Sequence, residues 1–158
     1  MSGPDYFLGG EVGCVPADAA VALIVVDNER YLMQLRDQKP GIFYPGHWGV
    51  FGGALDPGEN VETALKRELF EELGYQIDGA PRYFTAVSFD FAFCGRGKIV
   101  RSYYEVHVRS ADVDRMVLTE GEGLRAFGAR DILAQPRVVP YDAFAIWMHA
   151  TKNLLWPP

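Results

Sequence analysis

Eight consecutive apolar residues, Ala19 to Val26 (AAVALIVV), constrain this chain more than any other stretch. A half-buried strand alternates apolar and polar residues, because successive side chains point to opposite faces. An unbroken, valine-rich run leaves no face for water. It reads as a strand covered on both sides, which calls for helices on either face of a sheet. Asp27-Asn28-Glu29 is a turn signal. After it, Tyr31, Met33 and Leu35 alternate with Gln34 and Arg36 as a hairpin partner.

The rest of the chain supplies the other layers. Pro40-Gly41 and Pro45-Gly46 mark a loop over residues 38–46, and His47 to Ala54 reads as a short glycine-bearing strand. Arg82 to Phe93 alternates, with Tyr83, Val87, Phe89, Phe91 and Phe93 on one face. Ile99 to Arg109 alternates again, with Val100, Tyr104, Val106 and Val108 on one face. These two read as an antiparallel pair joined at Cys94-Gly95-Arg96-Gly97. Gly123 to Phe127 is a short strand, Ala129 to Ala134 a helical turn, and Tyr141 to Leu155 a closing amphipathic helix. Residues 1–18 show no period and read as an arm. Residues 19–158 form a single domain, without repeat or linker. The order predicts an α/β architecture with a mixed sheet.

Charge narrows the partners. A net charge of -6 over 158 residues argues against a nucleic acid polymer, whose phosphates demand a basic surface. Small phosphorylated ligands stay open, because a few arginines and bridging metal ions suffice for them. Two cysteines, Cys14 and Cys94, make no disulfide framework. MSGPDYFLGG lacks a basic segment followed by an apolar run, and no stretch is long enough to span a bilayer. The expectation is a cytoplasmic protein that does not enter a membrane.

The chemistry concentrates on one helix, Val61 to Leu73. Asn60 is a good N-cap, and Gly74 stands where a left-handed C-terminal cap belongs. At roughly 100° per residue the helix divides into two stripes. Leu65, Leu69 and Leu73 face the sheet. Glu68, Glu71 and Glu72, at offsets of three and four, point together, and Ala64 keeps their face uncluttered. Such carboxylates repel by a few tenths of a kcal/mol per solvated pair, and more once desolvated. A bound cation reverses that penalty, and hard oxygen ligands suit Mg²⁺ or Mn²⁺. Arg67 is within reach of Glu71 and of Glu59. A solvated acidic face has the same local look.

The residues around the glutamates separate these readings. From Gly53 to Tyr75 the chain reads GALDPGENVETALKRELFEELGY. This resembles the box of the Nudix family (MutT-like), G-x5-E-x7-R-E-U-x-E-E-x-G-U, where U is bulky and apolar. Gly53, Glu59, Arg67, Glu68, Leu69, Glu71, Glu72 and Gly74 fall in register; Tyr75 is bulky but not aliphatic. The strand order is similar to the family's from about Ala19 to Leu155. Trp48-Gly49-Val50-Phe51-Gly52-Gly53 is similar too, with Phe51 where many members carry proline.

The resemblance implies an α/β/α sandwich, with the catalytic helix and a C-terminal helix on the faces of a mixed sheet. It implies Glu68, Glu71, Glu72 and the Gly53 carbonyl as ligands of Mg²⁺ or Mn²⁺. Glu68 would double as base, and Arg67 and Glu59 would orient the carboxylates. The implied reaction is hydrolysis of a nucleoside diphosphate linked to another moiety: a nucleoside triphosphate, a nucleotide sugar or ADP-ribose. Metal ions would neutralise the phosphates and prepare a hydroxide for in-line attack. Some members use a further glutamate beyond the sheet. Glu120 and Glu122 are the candidates here, against an ordinary solvated loop.

Outside the box the signals thin out. Arg36 and Arg101 are candidates for a substrate phosphate, against surface charge. Trp48 and Tyr44 are candidates for stacking on a base, against core packing. Gly95-Arg96-Gly97-Lys98 lacks the hydroxyl residue of a phosphate loop and sits in a hairpin, although Arg96 and Lys98 stay phosphate candidates. His47, His107 and His149 are too scattered for zinc. A module that senses a nucleotide sugar without cutting it is the alternative. It goes with an eroded box or an added DNA-binding domain, and neither is visible. An isoprenoid diphosphate isomerase would need a cysteine context that Cys14 and Cys94 lack. The expected partner is a small nucleotide-derived phosphate compound. Phe144, Trp147 and Trp156 either close the core or meet a second copy in a homodimer.

Overall fold

The computed structural model describes residues 18–95 and 97–155. All but the last residue of the expected arm lies outside them, as do Cys14, Arg96 and Trp156. Along the chain run β1 (Ala19–Val26), β2 (Arg30–Leu35), β3 (Trp48–Gly49), β4 (Phe51–Ala54), α1 (Val61–Leu73), β5 (Arg82–Asp90) and β6 (Lys98–Val108). Then follow α2 (Ser110–Val113), β7 (Gly123–Gly128), α3 (Ala129–Leu133), α4 (Pro140–Ala150) and α5 (Lys152–Leu155).

Every residue of β1 is buried. Its odd-numbered side chains, Ala19 to Val25, join Tyr31, Met33, Tyr103, Ile132, Ala145 and Ile146 in one core, under α3 and α4. Its even-numbered side chains, Ala20 to Val26, join Leu32, Phe51 and Val106 with Leu65, Leu69 and Leu73 of α1 in the other. The unbroken apolar run is thus covered on both faces by separate helical layers. Each fully buried leucine of α1 adds roughly 1.5–3 kcal/mol to that packing. The sheet order is β3-β2-β1-β6-β5, with β4 also on β1 and β7 on β2. β1 and β6 are parallel along their whole pairing, from Ala19 opposite Arg101 to Val26 opposite Val108. The remaining pairs are antiparallel, so the sheet is mixed.

Local chemistry fixes the ends of the elements. Asp27 and Asn28 have φ of 51° and 60°, the left-handed pair of a tight hairpin turn that Asp and Asn tolerate. The Asn60 side chain accepts from the Thr63 N–H at 2.9 Å and starts α1. Gly74, at φ 61°, ends it.

Four expectations need correction. His47 to Ala54 is not one strand: β3 pairs with β2 and β4 with β1, so the chain changes partner at Val50. There the Val50 N–H donates to Asp142 Oδ2 at 3.1 Å instead of to a strand. β5 stops at Asp90, and a bulge between Tyr83 and Thr85 reverses its phase. Tyr83 therefore leaves the face of Val87 and Phe89 and is exposed, and Phe93 is exposed beyond the strand end. The closing helix breaks at Thr151, whose hydroxyl donates to the Trp147 carbonyl. Gln34 does not face water. It is buried, on the α1 side of β2.

Phe144 and Trp147 stack on each other on the outer face of α4, each about half exposed, and do not close the core. No described helix is long and apolar enough to cross a membrane.

Candidate active site

The acidic stripe of α1 lies against β4 and the end of β2, and its carboxylates meet different surroundings. Glu72 is buried, at 7% exposure. Its Oε2 accepts from the Gly52 N–H at 2.9 Å and its Oε1 from the Gln34 amide at 3.2 Å. Burial pushes its carboxyl up to about 7; those two donors work against the rise, and the nearby Glu68 and Glu120 charges add to it. Glu68 stands against bare backbone. A Cβ built on Gly53 would meet the Glu68 carboxylate at 2.6–2.8 Å, so only glycine leaves room for it. Burial raises the Glu68 carboxyl as well, against the pull of Arg67. Glu71 is more open to water.

Arg67 organises this face. Its Nε and Nη2 donate to the two oxygens of Glu59 at 3.0 and 2.8 Å, and Nη2 also donates to the Ala54 carbonyl at 3.1 Å. Its Nη1 donates to Glu68 at 2.7 Å and to Glu71 at 3.2 Å. The Arg67 hydrogen bonds hold the Glu59 carboxyl below the usual range. Here the sequence expectation needs sharpening. Among the described residues, no three acidic, histidine or cysteine side chains are gathered at metal-binding distance. Glu68 and Glu71 turn onto Arg67 and Glu72 turns onto β2 and β4, so the shared stripe does not bring the three to one point.

The chain beyond the sheet closes the far end of α1. The Val117 and Thr119 N–H groups donate to the Leu73 and Glu72 carbonyls, each at 3.0 Å. This satisfies acceptors that a helix end leaves open. Gly121 then passes close to β2: at φ +90°, a Cβ there would meet the Leu35 carbonyl at 2.7 Å. Glu122 accepts from the Gln38 N–H at 3.2 Å and so holds the 36–47 loop. Glu120 is the one whose charge bears on Glu68 and Glu72.

The other candidates separate in the same way. Arg101 is paired with Asp142 at 3.1 Å, donates to the Tyr103 hydroxyl and lies over the Tyr141 ring at 4.4 Å. Arg36 donates to the Phe43 carbonyl at 2.8 Å, tying down its own loop. Trp48 packs edge-on against Phe127 at 4.9 Å, in the core beneath α4. Tyr44 is buried against His47 and Tyr141. Sequence reasoning missed Asp142 and Gln34. One is a buried acid on the C-terminal helix, the other a polar residue in the row that begins with Leu32. Neither belongs to a motif.

The donor set suits a hard divalent ion. It offers only oxygen: three carboxylates and the backbone at Gly53. Among the described residues, Glu72 receives hydrogen bonds only from neutral groups, so its buried charge has no cation beside it. Burying a charge without a counter-ion is costly, and a divalent cation would relieve that cost.

Comparison with known proteins bears on the family and the fold. A sequence model described as the NUDIX domain matches residues 16–152. A nucleoside triphosphatase, NudI, of Escherichia coli (strain K12) is 46% identical over 55 residues, 35% of this chain and 38% of that protein. The chain thus spans about two fifths of the length of the curated relatives it matches. The crystal structure of a MutT NUDIX hydrolase from Burkholderia pseudomallei is similar at a TM-score of 0.68 and 30% identity. That match covers 84% of this chain and 96% of that one. The MutT protein from Methanosarcina mazei Go1 superposes at a TM-score of 0.73 and 19% identity, over 90% of this chain and 98% of that one. At that identity the likeness speaks to the fold alone.

Proposed function

The chain belongs to the NUDIX family, and from that premise we propose that it is a divalent-metal-dependent hydrolase of a phosphoanhydride bond. Its substrate is a nucleoside diphosphate linked to another moiety, with a nucleoside triphosphate as the first candidate. The observation that carries this reading is the pair of half-buried to buried carboxylates, Glu68 and Glu72, set against the glycine backbone at Gly53 and Gly52. The short stretch shared with a nucleoside triphosphatase supports the choice of substrate.

Glu68, Glu71, Glu72 and the Gly53 carbonyl would hold Mg²⁺ or Mn²⁺. When bound, the ion supplies charge neutralisation on the phosphates and acidifies water for attack at phosphorus. The chain's own residues do the positioning. Arg67, held by Glu59 and the Ala54 carbonyl, sets the rotamer of Glu68. Glu68, its carboxyl raised by burial, would take a proton from the attacking water. Glu120, carried on the loop beyond the sheet, is a further acidic group whose charge reaches Glu68 and Glu72.

The test is a panel of nucleoside triphosphates, nucleotide sugars and ADP-ribose with Mg²⁺, with phosphate read after phosphatase treatment and Glu71→Gln run beside the parent. Cleavage of a triphosphate is expected, with a loss of about 10²–10³-fold in the variant, since the charge stabilisation goes with the ligand. If the panel stays intact, or the variant keeps full activity, the reading fails.

A further inference from the structure

We propose that Gln34 is a positioning residue for Glu72, setting the metal affinity of the site from the neighbouring strand; this rests on the hydrolase reading above. Gln34 lies near the end of β2, buried at 5% exposure, and its side chain crosses to the acidic face of α1. Its Nε2 is 3.2 Å from Glu72 Oε1 and 3.5 Å from the Val50 carbonyl. The amide nitrogen faces Glu72 and its oxygen points away, which suits a metal-binding carboxylate that only accepts. That oxygen points to Gly121, where a Cβ would come within 3.1 Å of it. One side chain therefore lies between the helix that carries Glu72 and the loop that carries Glu120.

The arrangement holds Glu72 without consuming it. Gly52 donates to one oxygen and Gln34 to the other, one hydrogen bond each. Each carboxylate oxygen has two acceptor lobes, so one on each stays available for a cation. A lysine or arginine at residue 34 would compete with the ion for the same charge, and an apolar residue would let the carboxylate turn. A neutral donor fixes direction and leaves the full negative charge for the metal. Groups that orient a ligand in this way typically change metal affinity by about 10–100-fold when removed.

The test measures Mn²⁺ binding to the full chain without substrate, from the free-ion EPR signal, together with the Mg²⁺ concentration for half-maximal hydrolysis. Gln34→Met keeps the volume without the donor. Gln34→Asn keeps the amide but withdraws it by one methylene. Either variant, if folded by circular dichroism, is expected to weaken Mn²⁺ binding by about 10–100-fold. The Mg²⁺ requirement should rise in step, and kcat at saturating Mg²⁺ should fall by less. A folded variant with parental Mn²⁺ affinity overturns the proposal, whatever its activity. Glu72→Gln is the control. If it too binds Mn²⁺ like the parent, the metal site itself is misplaced and the role of Gln34 falls with it. If only Glu72→Gln weakens binding, the site stands and Gln34 has no part in it.

Discussion

Arg67 grips Glu59 through two hydrogen bonds, Nε to Oε1 at 3.0 Å and Nη2 to Oε2 at 2.8 Å, while its Nη1 reaches Glu68 at 2.7 Å. The planar guanidinium makes this fork possible, because its donors lie at fixed angles that match a carboxylate on one side and leave another edge free. Seven residues and the start of a helix separate Glu59 from Arg67 in sequence, yet they make one unit against the Ala54 carbonyl.

Replacing Arg67 by lysine should therefore cost orientation more than stability. A point charge cannot hold Glu59 and Glu68 in one plane. We expect kcat to fall about 10–100-fold, with a stability loss of only about 1 kcal/mol, as for a partly exposed ion pair. Steady-state kinetics and urea unfolding on the same preparations check both numbers. Parental kcat in Arg67→Lys would show that the fork does not set Glu68.

The adjacent glycines should respond in opposite ways to alanine. At Gly52, φ is +120° and a Cβ would sit 2.2 Å from the Ala20 carbonyl, inside the sheet. Gly52→Ala should destabilise the fold by more than about 2 kcal/mol. At Gly53 the obstacle is the far end of a flexible side chain, the Glu68 carboxylate. Gly53→Ala should keep most of its stability and lose activity by at least about 10²-fold, as Glu68 is pushed aside. Thermal melts and turnover measured together decide the matter; a Gly53→Ala protein with full activity contradicts the placement of Glu68.

A pH dependence follows from Glu105, which is buried at 3% exposure on β6. Burial pushes its carboxyl up, but hydrogen bonds from Lys152 and His149 outweigh that and hold it at about 2. The unfolded chain, with an ordinary value of 4.5, binds the proton more readily. The stabilisation is therefore complete above about pH 4.5 and is lost as pH falls through 2. His149, pushed down by burial and by Lys152, loses stability in the same direction below its ordinary 6.5. Denaturant unfolding between pH 6 and 2 should show a steeper fall for the parent than for Glu105→Gln. Parallel curves would mean that the Glu105 pairing carries no linkage.

Much of this molecule was legible in residue order. β1 was recognisable because eight apolar residues in a row leave a strand no wet face. α1 was recognisable to its last residue because Asn60 and Gly74 are local capping signals that need no tertiary partner. The pairing of Arg82–Asp90 with Lys98–Val108 followed from period-two alternation. Two of the errors lie where a neighbouring element intervened: at Val50, whose N–H is claimed by Asp142, and at Tyr83, where a bulge against β6 shifts the phase.

The sequence by itself determined which residues form the acidic stripe, since helix periodicity and caps act over a few residues and survive in any context. Only the tertiary structure decided how those carboxylates differ. It buries Glu72 between Gly52 and Gln34, sets Glu68 against Gly53, leaves Glu71 in water and brings Glu120 rather than Glu122 to bear on the cluster. The reason is physical: burial and hydrogen-bond partners depend on what packs across the helix. Residues 34, 52 and 120 come from strands and a loop whose convergence on α1 no local pattern records.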